Sequence, residues 1–365
     1  MAMSNRYFAN PGSPCRTVDP GTELRACLGR ITRLHPPVHT CSTNWSFSGL
    51  YAGPTSVALL FYRLAALYPD LELGHQSLLD WAQSYLQLGA RVPHRPPSPS
   101  HCGVGDETLA HLALTAVVSG DASLAHRLCA YADVINDPAD DGSNEWLYGR
   151  AGYLYLLRLC RRVFPGDPLD RTIAATARRM LAVPRPWVWH GREYLGAVHG
   201  SVGIVAQIVL SVPSLAPRLQ AVVAGLLDTQ LPSGNFPSSR PAGSDRLVQF
   251  CHGGPGFVVS LCAVLPCFPA LADRIGGAIA RARSDVWERG LLTKEPCLCH
   301  GIAGNSLALE GDERFVHFLS FMGGEGVDGG VGSSAGLFTG EAGRAWCWAV
   351  ADRGLDRTVI GFNDV

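Results

Sequence analysis

Phe250-Cys251-His252-Gly253-Gly254-Pro255-Gly256, with the apolar run Phe257 to Leu265 behind it, is the stretch on which the fold turns. A glycine-rich turn feeds an uncharged segment too long and too rich in small aliphatic residues to be a string of strands, so it reads as the start of a buried helix. The same grammar recurs along the chain. It appears at Tyr51-Ala52-Gly53-Pro54, Cys102-Gly103-Val104-Gly105, Tyr148-Gly149-Arg150-Ala151-Gly152, His199-Gly200-Ser201-Val202-Gly203, Cys299-His300-Gly301-Ile302-Ala303-Gly304 and Thr339-Gly340-Glu341-Ala342-Gly343. The first glycines fall at 53, 103, 149, 200, 253, 301 and 340, spacings that each hold one helical hairpin, with the last unit shortened.

Apolar runs after the turns (Val57 to Leu64, Tyr153 to Leu159, Ile204 to Val212, Phe257 to Leu265) predict inner helices. Leu73 to Leu88 and Thr172 to Leu181 are more amphipathic and carry the charges, and predict outer helices with one face in water. The expected architecture is all-α: an (α/α) double-layered barrel, or toroid, of seven helical hairpins with the glycine turns at one rim. Residues 1–365 form one domain in this reading, and residues 1–40 pack on the barrel as an N-terminal segment. Glycine where helix starts converge lets backbone amides and helix-dipole ends crowd a common centre that favours anions and metal ligands. The loops are expected at Pro-rich Val92 to Ser100, acidic Asp137 to Asp141 and Ser233 to Ser244.

Composition narrows the function. Net charge is −1, no block of Lys or Arg occurs, and neither nucleic acid nor an anionic membrane surface is the expected partner. No apolar run reaches the roughly 18 residues of a membrane span, so the mean hydropathy of +0.11 reads as buried helix; peripheral membrane contact is left open. The start, Met1-Ala2-Met3-Ser4-Asn5-Arg6, carries no signal-peptide core or myristoylation glycine, and the expected location is the cytoplasm. The 12 cysteines are then expected reduced, with Cys129, Cys160, Cys262 and Cys347 acting as small core hydrophobes.

Cys251, Cys299 and His300 stand apart because they sit on equivalent turns. Two thiolates and an imidazole suit zinc and leave one tetrahedral position open for chemistry.

With these segments the chain resembles the LanC-like family, the eukaryotic relatives of the bacterial lanthionine cyclases. The resemblance is carried by Arg6-Tyr7-Phe8-Ala9-Asn10-Pro11, Glu145-Trp146-Leu147-Tyr148-Gly149-Arg150-Ala151-Gly152-Tyr153-Leu154, Ser233-Gly234-Asn235-Phe236-Pro237-Ser238-Ser239, the two Cys-His-Gly turns and Leu337-Phe338-Thr339-Gly340-Glu341-Ala342-Gly343. It implies an (α/α) barrel with one zinc on Cys251, Cys299 and His300. It also implies a glutathione site touched by Arg6 and Lys294, His199 beside the zinc as the proton donor, and Glu145 as a residue that orients His199 or polarises the substrate. The implied reaction is Michael addition of a thiol, glutathione first, to dehydroalanine or dehydrobutyrine in a peptide or protein. A non-catalytic zinc- and glutathione-binding adaptor, and a cyclase or tailoring enzyme for a peptide natural product, are the alternatives. Departures from the family pattern are Phe250 in place of tryptophan, Ser56 and Asp106 at glycine positions, a glycine-rich Gly323 to Gly336, and no arginine between Arg314 and Arg344.

Overall fold

Seven inner helices start at the glycine turns: Pro54–Leu67, Glu107–Ser119, Arg150–Arg161, Ser201–Ser211, Gly254–Val264, Ile302–Ser306 and Glu341–Arg353. The computed structural model that shows them describes residues 6–40, 45–90, 95–241, 244–322 and 334–365. The expectations placed on Met1 to Asn5, on residues 92–94 and 242–243 of two loops, and on residues 323–333 of the glycine-rich stretch lie outside the described residues. Four two-residue strands, paired as Glu72–Leu73 with Gln76–Ser77 and Glu193–Tyr194 with Ser239–Arg240, are the only named strands among the described residues.

The inner helices are buried along nearly their whole length, and each packs against an outer helix. Pro54–Leu67 meets Leu78–Gly89, Glu107–Ser119 meets Ala122–Ala130, Arg150–Arg161 meets Leu169–Ala182, and Gly254–Val264 meets Ala272–Arg289. Local chemistry sets the boundaries. Ser77 and Asp80 form a reciprocal capping box at Leu78, so the predicted outer helix from Leu73 begins five residues later, after a tight hairpin. Asp106 accepts from Leu109 N and caps the second inner helix, which explains an aspartate where other turns carry glycine. Ser56 likewise holds Gly53 O and receives Leu337 N.

The seventh hairpin is not contiguous in sequence. Its inner helix, Glu341–Arg353, is full length and packs on Pro20–Leu34 from the other end of the chain, closing the ring. The shortening expected of the last unit belongs instead to the sixth, whose inner helix Ile302–Ser306 has five residues. Arg30 reaches Glu341 Oε2 at 3.0 Å across the seam.

The second glycine of a turn has a packing reason. A Cβ on Gly203, Gly256 or Gly304 would stand 1.9, 2.0 and 1.9 Å from the carbonyl oxygen six residues earlier, at Ala197, Phe250 and Leu298, because the chain folds back over its own helix start. Neighbouring turns are stitched by backbone bonds: Leu50 N to Val104 O, Val104 N to Trp146 O, Trp146 N to Val198 O, Cys251 N to Cys299 O, Cys299 N to Phe338 O and Phe338 N to Tyr51 O. This stitching gathers the turns at one pole.

The other end of the axis is filled by residues 359–365. Val359, Ile360 and Phe362 are fully buried. Arg158, enclosed among inner helices, donates to Gln207 Oε1, Ser211 Oγ and the carbonyl of Phe362. Beside this plug lies a cleft of about 620 Å³, lined in part by Arg63, Arg162 and Trp346, remote from the turns.

Of the cysteines assigned to the core, Cys129, Cys160 and Cys347 are buried but Cys262 is exposed. Its Sγ lies 3.8 Å from Arg283 Nη2 on the outer helix Ala272–Arg289. All described cysteines are free thiols.

Candidate active site at the glycine-turn pole

Stitching Cys251 N to Cys299 O brings the two thiols side by side. Both residues are buried. A hydrogen bond between their side chains lowers Cys251 below the ordinary thiol range and pushes Cys299 above it. Two further donors aim at the sulfurs: Gln249 Nε2 lies 3.1 Å from Cys251 Sγ and the Tyr51 hydroxyl 3.1 Å from Cys299 Sγ. Each sulfur thus receives a donor from a neighbouring side chain.

His300 follows Cys299 on the same turn and is half-buried; burial first, then the charge of Lys294, lowers its proton affinity. Lys294 also acts on Cys251. Arg6 joins this group because Tyr7 bridges Leu292 and Thr293 N donates to Arg6 O, which lays residues 6–8 beside the segment that leads to Lys294. Arg6 Nε is buried without a hydrogen-bond partner.

His199 opens the fourth turn, and its Nδ1 lies 2.8 Å from Glu145 Oε2. Glu145 is almost fully buried and is held by the backbone N–H groups of Leu147 and Tyr148. A carboxylate so served can only accept, so Nδ1 carries the proton and Nε2 is the atom left for exchange. Trp189 lies against the imidazole with ring centroids 3.9 Å apart and planes 4° from parallel. His252, pushed down to about 4 by burial and by His199, has a buried Nδ1 with no partner, and Gln249 Oε1 is likewise unpartnered.

All seven residues singled out from sequence therefore lie on the stitched turns or on the bridged segments 6–8 and 291–294 beside them. The residues missed are Gln249 and Tyr51, whose donors meet the sulfurs, and Trp189 and Tyr194, which lie on a short hairpin too brief to show a period. For Gln249 the signal was its position two residues before Cys251. The residues fit zinc in part. The paired buried thiols and the orphaned polar atoms beside them suit a soft cation, while no group of three His, Cys, Asp or Glu side chains is gathered for a metal among the described residues. His300 would complete such a set by turning towards the thiols.

A family model described as "Lanthionine synthetase C-like protein" matches residues 45–312. The chain belongs to the LanC-like family. Among relatives of this LanC-like protein, "Glutathione S-transferase LANCL1" of Danio rerio is 29% identical over 185 residues, 45% of this chain and 45% of that protein. "LanC-like protein GCL1" of Arabidopsis thaliana is 31% identical over 206 residues, 49% of this chain and 47% of that protein. The alignments span just under half the length of these relatives. Among solved structures, "Nisin cyclase" superposes with a TM-score of 0.63 at 12% identity, covering 94% of this chain and 97% of that one, a likeness of fold. The LanC-like barrel carries no helix long and apolar enough to cross a membrane among the described residues.

Proposed function

We propose that this LanC-like protein adds a thiol, glutathione or a peptide cysteine, across the double bond of dehydroalanine or dehydrobutyrine in a peptide or protein. The observation that carries the reading is the meeting at one pole of two buried thiols and a histidine oriented by a buried carboxylate. Zinc on Cys251, Cys299 and His300 would supply the positive centre that keeps an incoming thiol ionised near neutral pH.

The chain's own groups then account for the rest. Attack of the thiolate on the β-carbon breaks the C=C π bond and moves that electron pair to the α-carbon and its carbonyl. Protonated His199 delivers the Nε2 proton to the α-carbon, and Glu145 holds Nδ1–H throughout. The proton released by the thiol restores the balance, so S–H is added across C=C with nothing oxidised. Lys294 and Arg6 supply positive charge suited to the carboxylates of glutathione. The relative from Danio rerio named as a glutathione S-transferase supports that choice of thiol.

The test is the zinc content of the purified protein and of Cys299→Ala, each then mixed with glutathione and a dehydroalanine peptide and followed by mass spectrometry. One zinc and one glutathione adduct, both lost in the variant, support the reading. Zinc and glutathione binding without adduct would replace it by the adaptor role.

A further inference from the structure

Next to His199 the surface is made of rings that the core does not need. Trp187 is buried, its Nε1 bonded to Met180 O, and anchors the segment. Two residues later Trp189 emerges half-buried at a tight reversal, bonded to Arg192 in both directions and turned by His190 and Gly191 at φ 47° and 71°. The pairing of Glu193–Tyr194 with Ser239–Arg240, reinforced by Arg240 on Glu193, ties this hairpin to the barrel. The rings are thus presented on a braced support.

Around His199 they form a continuous wall. Tyr148 stacks 6.2 Å from Trp189, and Tyr194 lies 5.7 Å from Trp189 and 5.5 Å from His252. Tyr148 is 38% exposed and Val188 57%. Apolar and aromatic surface left in water beside a proton donor is the signature of a surface that a ligand covers. A substrate whose α-carbon reaches His199 Nε2 must place its neighbouring residue against this wall.

We propose that Tyr148, Trp189 and Tyr194 form a subsite for the residue adjoining the dehydroamino acid and that it selects an aromatic side chain; the inference rests on the thiol-addition reading above. Ring-on-ring contact of this kind corresponds to a preference of about three- to tenfold.

The experiment separates binding from turnover. Two unreactive peptides, with alanine in place of dehydroalanine and either Phe or Gly beside it, are titrated against the wild type, Trp189→Ala, Trp189→Phe and Tyr194→Ala, each checked for native circular dichroism. The Phe peptide is expected to bind about three- to tenfold tighter to the wild type, with the preference lost in Trp189→Ala, reduced in Tyr194→Ala and largely kept in Trp189→Phe. Equal affinities on the wild type, or a preference that survives both alanine changes, overturn the proposal. The dehydroalanine versions with glutathione then distinguish the two readings. Adduct formation blind to the neighbour sinks the subsite and leaves the chemistry, whereas a Phe preference in binding with no adduct sinks the chemistry and leaves the subsite.

Discussion

Glu145 and His199, 54 residues apart in the chain, meet at 2.8 Å because adjacent glycine turns are stitched by the bond from Trp146 N to Val198 O. The carboxylate's remaining bonds go to backbone N–H groups of its own turn, so its direction is set by the rim itself. Replacing it by an amide permits the wrong imidazole tautomer. Glu145→Gln is expected to lower kcat for adduct formation roughly 10²-fold with KM for glutathione unchanged. His199→Ala should do at least as much, and the double variant no more than His199→Ala alone, because the two act as a unit. Additive losses in steady-state kinetics would refute the pairing.

The turn glycines make a stability prediction independent of chemistry. Gly203→Ala puts a methyl 1.9 Å from Ala197 O, a backbone atom that cannot step aside, and should cost about 3 kcal/mol or more. Gly276, exposed within Ala272–Arg289 with nothing within 4 Å of its would-be Cβ, should gain about 0.5–1 kcal/mol as alanine. Urea unfolding of both variants checks the contrast, and comparable losses would show that the close approach is not what the turn requires.

Asp285 sets a pH dependence. Burial pushes its carboxyl up to about 6 against the pull of Arg289, and one of its oxygens has no partner. The folded state therefore holds this proton more tightly than the unfolded chain. Its contribution to stability is complete below about pH 4 and is lost as pH rises to about 6. Relative to wild type, Asp285→Asn should become progressively more favourable across that window in urea titrations at pH 4, 5, 6 and 7. A difference that stays constant, or runs the other way, would place the linkage elsewhere.

Arg158 is a buried charge held by several hydrogen-bond partners. Burial lowers its proton affinity to about 10, which still leaves it charged at neutral pH. Arg158→Met strands Gln207 Oε1 and removes a donor from the carbonyl of Phe362, and should cost about 1–3 kcal/mol. Amide exchange in residues 359–365 should accelerate more than in Ser201–Ser211. Uniform acceleration would mean that the arginine stabilises the barrel without selectively holding the plug.

The ring of turns was legible in sequence because at the first glycine of every turn, from Gly53 to Gly340, backbone lies within 2.5 Å of where a Cβ would stand, and a steric demand repeated seven times writes itself plainly. The thiols could be read because Cys-His-Gly recurs on equivalent turns. The aromatic wall could not. Trp189 and Tyr194 reach His199 through a hairpin whose register depends on residues near Arg240, and no local period announces such a pairing. The seam was hidden for a related reason: Pro20–Leu34 is amphipathic like any outer helix, and nothing local says that its partner lies more than 300 residues away. Nor could spacing alone tell that the sixth inner helix, not the last, was the short one.

That seam governs the order of events on the ribosome. Pro20–Leu34 is made before the other helices of the barrel, yet the surface it covers, Glu341–Arg353, is made after all of them. Throughout synthesis the nascent chain must carry an unmated amphipathic helix and an open arc of half-built wall. Closing a loop of this length adds only a logarithmic entropy cost, but it has to be met in one late step. The barrel is therefore completed like a clasped bracelet, and chaperone demand should peak just before the clasp is synthesised.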